Sequence, residues 1–170
     1  RIVRTADGVP LLLTGLVSSL SPDQLEGRAA LPDALPVSPD VEALYLGRVR
    51  TLPASSQTAL LVAAATPLGE LKTIAAALQV MGLGEEALEE AARGRLVVVS
   101  DRVTFPHPAV RMAVYAGASS ADRRRVHDAL ASVLVEDTDE DLRVWHRAHA
   151  TIAPDEDVAR QLERSADRSA

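Results

Sequence analysis

The sequence predicts a mainly α protein with one small β-hairpin, and three observations carry that prediction. Hydrophobic residues make up 47% of the chain, yet it holds one Phe, one Trp and two Tyr. The core must therefore be built from Ala, Leu and Val, which suits closely packed helices. Apolar residues recur at helical spacing through most of the sequence, and a single Val-rich, strongly apolar stretch has a hairpin-like pattern. After that stretch the pattern is helical to the end.

Residues 9–20 read as a short buried helix entered through Pro10. Residues 21–40 hold Pro22, Pro32, Pro36 and Pro39, a proline density that breaks regular structure and reads as a linker. Apolar spacing resumes at Val41, Leu44, Leu46, Val49 and Leu52, giving a helix stopped at Pro53. Residues 54–66 are Ala/Leu-rich and almost uniformly apolar between Ala59 and Ala65, as a central buried helix should be. The stretch 69–81 places Leu71, Ile74, Ala75, Leu78 and Met81 on one face and ends at Gly82. A third helix, 85–93, puts Ala87, Leu88, Ala91 and Ala92 on one face and ends at Gly94. A hairpin over 96–105 follows, with Asp101-Arg102 as the turn.

Three helices and then a hairpin is the order of a winged helix, expected here over residues 41–116. Beyond it, residues 122–135 carry Val126, Ala129, Leu130, Val133 and Leu134 on one stripe. Acidic residues from Glu136 to Asp141 separate this helix from 142–152, and Pro154-Asp155 opens a last helix toward Ser165. Successive antiparallel helices with short loops predict the start of a TPR-like α-solenoid over residues 117–170.

The 170 residues are enough for one ordinary domain or two small ones. The absence of cysteine excludes disulfides and thiolate metal sites and fits a cytoplasmic location. No stretch approaches the roughly 20 apolar residues that a membrane-spanning helix needs. The net charge of −6 argues against a general nucleic-acid surface. Lys72 is the sole lysine, an Arg bias that reads as genomic before functional. The chain opens at Arg1 in what reads as continuing sequence, so a piece of a longer protein is expected.

The most informative segment is Phe105-Pro106-His107-Pro108-Ala109-Val110-Arg111. A strand delivers one histidine to a helix start, with Pro108 at the first helical position, where its missing N–H costs nothing. The N–H groups of Ala109 and Val110 are then expected to face outward with the positive end of the helix dipole. Flanked by His107 and Arg111, they would form an anion site. The alternative is a His107 that caps the helix and touches the core. A DNA phosphate is not the expected anion. The third helix, which would enter the major groove, carries Glu85, Glu86, Glu89 and Glu90 against Arg93 alone, and the wing offers only Arg95 and Arg102.

Gly8-Val9-Pro10-Leu11, the winged-helix pattern and His107-Pro108-Ala109-Val110-Arg111-Met112-Ala113-Val114-Tyr115 together resemble the large ATP-binding LuxR-type transcriptional regulators of actinobacteria, which are STAND-type signalling ATPases. In that family a Gly-x-Pro-Leu motif begins the lid and a His-Pro-Leu-Val-Arg-x-Ala-Val-Tyr block follows the wing. The block departs here only at Ala109. The stretch 123–131 and the Trp145-His146 pair are also similar. The resemblance implies that residues 1–20 are the remnant of a lid and that Gly8 and Pro10 lie against the adenine of bound ATP or ADP. It implies that His107, with Arg111, reaches the β-phosphate of ADP and latches the winged helix onto the nucleotide-binding domain of the same chain. The phosphate-binding loop, the Mg²⁺-binding acids and the DNA-reading helices of that family have no counterpart here. The fragment is therefore expected to be no enzyme and to hold no nucleotide tightly by itself. DNA would be met only through a separate domain, and a protein or small-molecule inducer through the helical repeats.

Other candidates are weaker. His146 and His149, three apart near Asp139 and Asp141, have the spacing of two metal ligands, but no third ligand is well spaced. Trp145-His146 reads as helix packing, and Arg123-Arg124-Arg125 as a solvated first turn. Ser18-Ser19, Ser55-Ser56 and Ser119-Ser120 read as caps or turns. The reading is thus a regulatory latch and signal-coupling module; the alternative is a stand-alone helical interaction domain in which His107 is purely structural.

Overall fold

The computed structural model describes residue 28 and residues 39–135, 139–153 and 155–169. The expected lid remnant 1–20, with Gly8 and Pro10, and nearly all of the expected linker 21–40 lie outside the described residues. Within them the chain is mainly helical, with one two-stranded antiparallel sheet. Helix α1 (Pro39–Arg50) begins inside the segment read as linker, with Pro39 at a first position that tolerates it. Pro53 separates it from α2 (Ala54–Ala65). Helix α3 (Leu71–Val80) ends before Gly82, whose φ of 74° suits glycine.

One helix was expected over 85–93. The chain instead makes a 3₁₀ turn (Glu85–Leu88) that passes into the short α4 (Glu89–Arg93), a common way to open a helix. Strands β1 (Val98–Val99) and β2 (Val103–Thr104) follow, then α5 (Pro108–Gly117), α6 (Ser120–Val133), α7 (Glu140–Ala150) and α8 (Glu156–Ser169). Ser119 caps α6 as expected, its Oγ accepting the Asp122 N–H at 3.0 Å. Ser56 does not act as a cap; it is buried in the first turn of α2, whose N-cap is Pro53.

Helix α2 is the centre of the molecule. Every residue from Ala59 to Ala65 is buried, and it packs against α3, the 3₁₀ turn, α4, α5 and α6. Alanines at 59, 63, 77, 109, 113 and 129 let the helix backbones approach closely, because the side chains at a contact set the interaxial distance. Leu60, Ile74, Leu78 and Leu130 fill the space between them and are fully buried, each contributing about 1.5–3 kcal/mol by leaving water. The core cluster runs without a break from Tyr45 to Leu130, so it crosses residues 116–117. Beyond it, α6, α7 and α8 pack as consecutive neighbours.

The hairpin pairs Val98 with Thr104 and Val99 with Val103. It is pinned to the start of α3: Val103 N–H donates to Gly69 O at 2.7 Å, and Leu71 N–H donates to Asp101 O at 3.1 Å. An isolated antiparallel bridge joins Glu70 to Arg102 beside them. Gly69 has a φ of 64°, and a Cβ there would overlap the Val103 carbonyl oxygen. Only glycine satisfies both constraints.

Candidate functional site

The pinned hairpin aims Phe105 and Pro106 at the start of α5, where His107 is the N-cap with an extended backbone (φ −142°, ψ 140°). Its ring turns inward and the residue is 4% exposed. Nδ1 accepts the Ala109 N–H at 3.0 Å, and His107 O accepts the Val110 N–H at 3.0 Å. The two N–H groups expected to face outward are therefore already taken, and the helix start does not present them to an anion. This is the side-chain capping arrangement of Ser or Asp, performed by an imidazole.

That cap fixes the proton. Burial pushes the His107 pKa below its ordinary value, so the ring is neutral near pH 7. With Nδ1 accepting, the neutral ring carries its proton on Nε2. Nε2 is buried and, among the described residues, has no hydrogen-bond partner. An orphaned donor of this kind costs about 1–3 kcal/mol in desolvation.

Arg111 lies one turn further along α5 and is half-buried. Its Nε donates to Ala64 O at 2.8 Å, among the last carbonyls of α2, where the helix dipole favours a cation. The side chain borders two cavities. One, about 270 Å³, is lined by Thr66, Gly69, Phe105 and Pro108. The other, about 440 Å³, lies toward α7. The fold thus puts His107 and Arg111 on one helix start but turns the first into the interior and leaves the second at the surface.

A second histidine site, not assembled by the sequence reading, lies between α6 and α7. His127 and His146 are both fully buried, with their Nδ1 atoms 2.8 Å apart. Tyr115 Oη is 2.8 Å from His127 Nε2. His149 stacks on His127 at 4.9 Å between centroids, and Trp145 lies 4.0 Å from His149. Burial first, then the neighbouring imidazoles, pushes the pKa of His127 and of His146 down to about 4.

Both rings are neutral near pH 7, so one Nδ1–H donates to the other Nδ1. If His146 donates, its partnerless Nε2 is an acceptor, and His127 Nε2–H donates to Tyr115. If His127 donates, His146 Nε2 becomes an orphaned N–H. The first arrangement is the cheaper, since under-satisfied acceptors are tolerated better than buried orphan N–H groups. His146 thus packs between helices as expected, whereas Trp145 beside it is exposed, and His127 is the partner the sequence reading missed. The signal was a histidine on the apolar stripe of α6, beside Val126 and one turn before Leu130. Among the described residues no three His, Asp or Glu side chains gather as a metal site.

The third helical segment is acidic at its surface. Arg93 is engaged by Glu90 at 2.8 Å and Glu89 at 3.6 Å, so this face offers DNA no free cation of its own. No described helix is long and apolar enough to cross a membrane. Comparison of the chain with protein-family models, with curated proteins and with solved structures finds no match.

Proposed function

We propose that this chain is the regulatory segment of a nucleotide-switched, LuxR-type transcriptional regulator of the cytoplasm. In it His107 is half of an interdomain latch, and the segment couples signals rather than catalysing a reaction. The observation that carries this reading is the buried, partnerless Nε2–H of His107, whose tautomer the α5 cap dictates. A phosphate oxygen of ADP, held by the nucleotide-binding domain of the same chain, is an acceptor that this donor lacks. Because the ring is covered, the phosphate reaches Nε2 only when the start of α5 is uncovered. Nucleotide contact and rearrangement are then one event, the differential contact that a two-state switch requires. By the resemblance, Gly8 and Pro10 would hold the adenine and Arg111 would assist at the phosphate.

The finer architecture belongs to the same proposal. Helix α2, the bridge at Glu70, α3, the 85–93 segment and the hairpin read as a winged helix, and α6 to α8 as the opening of a TPR-like solenoid that receives a protein or small-molecule inducer. The Glu-rich surface of the 85–93 segment supports a structural role for that winged helix, with DNA contacted through a separate domain.

The His107 cap equally favours a second reading, a helical protein-interaction domain in which the ring is structural. ADP release from the full-length protein separates the two. Loss of a hydrogen bond to a charged phosphate costs about 1.5–3 kcal/mol, so His107→Asn, which keeps a cap acceptor, should release ADP roughly 10- to 100-fold faster. Unchanged release would leave His107 as a cap and overturn the latch.

A further inference from the structure

We propose that the groove between α5 and α7 is a binding site for a small organic carboxylate with an aromatic body. It shares Arg111 with the proposed latch but does not depend on that reading. The groove, about 440 Å³, opens between the last turn of α2, α5 and α7, with Ala65, Arg111, Met112, Tyr115, Trp145 and His149 among its walls. This is the size and composition of small-molecule sites, which are mostly apolar with a few convergent polar groups.

Three features choose the occupant. Met112 and Trp145 are 53% and 38% exposed, so two large apolar side chains wait uncovered on opposite walls. Trp145 and His149, their ring centroids 4.0 Å apart, offer a ring edge and face against which an aromatic body packs. Charge sets the polarity of the other end. Among the described residues no Asp or Glu lines the groove, although the chain carries a net charge of −6.

Arg111 supplies the cation. Its Nε is spent on Ala64 O, and its two terminal amino groups have no ion-pair partner among the described residues. Held by that one bond, the guanidinium presents a fixed pair of donors suited to the two oxygens of a carboxylate. Tyr115 does not compete for the ligand, since its hydroxyl is engaged with His127. The buried His127–His146 pair lies directly behind this wall. A ligand packed on His149 would therefore press on the ring that stacks against His127.

Trp145 is the chain's only tryptophan, so its fluorescence reports this groove alone. The test titrates the protein with 4-phenylbutyrate, with 4-phenylbutanol and with inorganic phosphate, exciting only tryptophan. The expected result is a saturable change with the carboxylate, about tenfold or more weaker binding for the alcohol, and no saturable change with phosphate. Ala116→Phe, which fills the groove from α5 without removing a hydrogen bond, should abolish the response while the circular dichroism stays unchanged. Arg111→Gln should reduce acid binding to the level of the alcohol. Equal binding of acid and alcohol, a saturable response to phosphate alone, or undiminished binding by Ala116→Phe would each overturn the assignment. So would a Trp145 signal that shifts with protein concentration in the absence of ligand, which would mean that a second copy covers the groove.

Discussion

The two buried histidine sites are built from the same side chain and differ in what holds the proton. At the start of α5 the backbone decides: the Ala109 N–H occupies Nδ1 of His107, so Nε2 must be the donor. Between α6 and α7 another imidazole decides, and His127 and His146 can exchange roles across a 2.8 Å contact. Among the described residues, each site leaves one buried Nε2 without a partner. A backbone cap therefore yields a fixed donor, suited to recognising an acceptor. An imidazole pair yields a neutral lock that fails when a proton arrives.

The contrast is broken most strongly with acid. The folded pKa of about 4 for His127 and His146 lies below the unfolded value near 6.5. Between those values the unfolded chain binds more protons, so stability falls as pH drops through that window and is fully present above it. The loss across this window is on the order of 3 kcal/mol. Urea melts at intervals from pH 7 to pH 4 should show it, and a His127→Phe/His146→Leu double variant should flatten that part of the profile. A wild-type profile parallel to that of the double variant would remove the pair from the account of acid stability.

A backbone lesion should strike the other site alone. Gly69→Ala sets a Cβ against the Val103 carbonyl at a positive φ, a strain of about 1–3 kcal/mol. The hairpin would shift, and with it the segment that delivers His107. Imidazole NMR signals of His107 should move while those of His127 and His146 hold. Movement of all three would show that the sites are not independent.

The smallest effect sharpens the cap itself. His107→Ala should cost about 1 kcal/mol through loss of the N-cap. His107→Asn supplies a replacement acceptor for the Ala109 N–H and should recover most of that stability in thermal melts. Equal destabilisation by Ala and Asn would show that the ring's packing, not its hydrogen bond, matters at this position.

Much of the helix layout was legible because local chemistry marks the boundaries. Pro53, Gly82 and Pro108 end or open helices through constraints that act within a residue or two, and the observed limits fall close to the expected ones. The 85–93 segment was legible as helical but not as 3₁₀ followed by α, since both place Ala87, Leu88 and Ala91 inward. His107 and Arg111 were visible as a pair at a helix start. A capping His107 was already one of the two alternatives; what the sequence could not do was choose between cap and anion site, because that depends on which way the ring turns. The His127–His146 contact was beyond local reading: its partners sit 19 residues apart on different helices, and only tertiary packing brings them together. The groove at Arg111 was hidden for the same reason.

The unbroken core across residues 116–117 has a mechanical consequence. Val126, Ala129 and Leu130 are seated in the same cluster as Leu60 and Val110, so α6 is bolted to α2 rather than hinged from α5. Contacts run from α8 through α7 and α6 into α2, and α2 packs on α5, whose first residues His107 holds. The distal helices and the histidine cap are therefore joined through one continuous series of packed helices, with α2 between them.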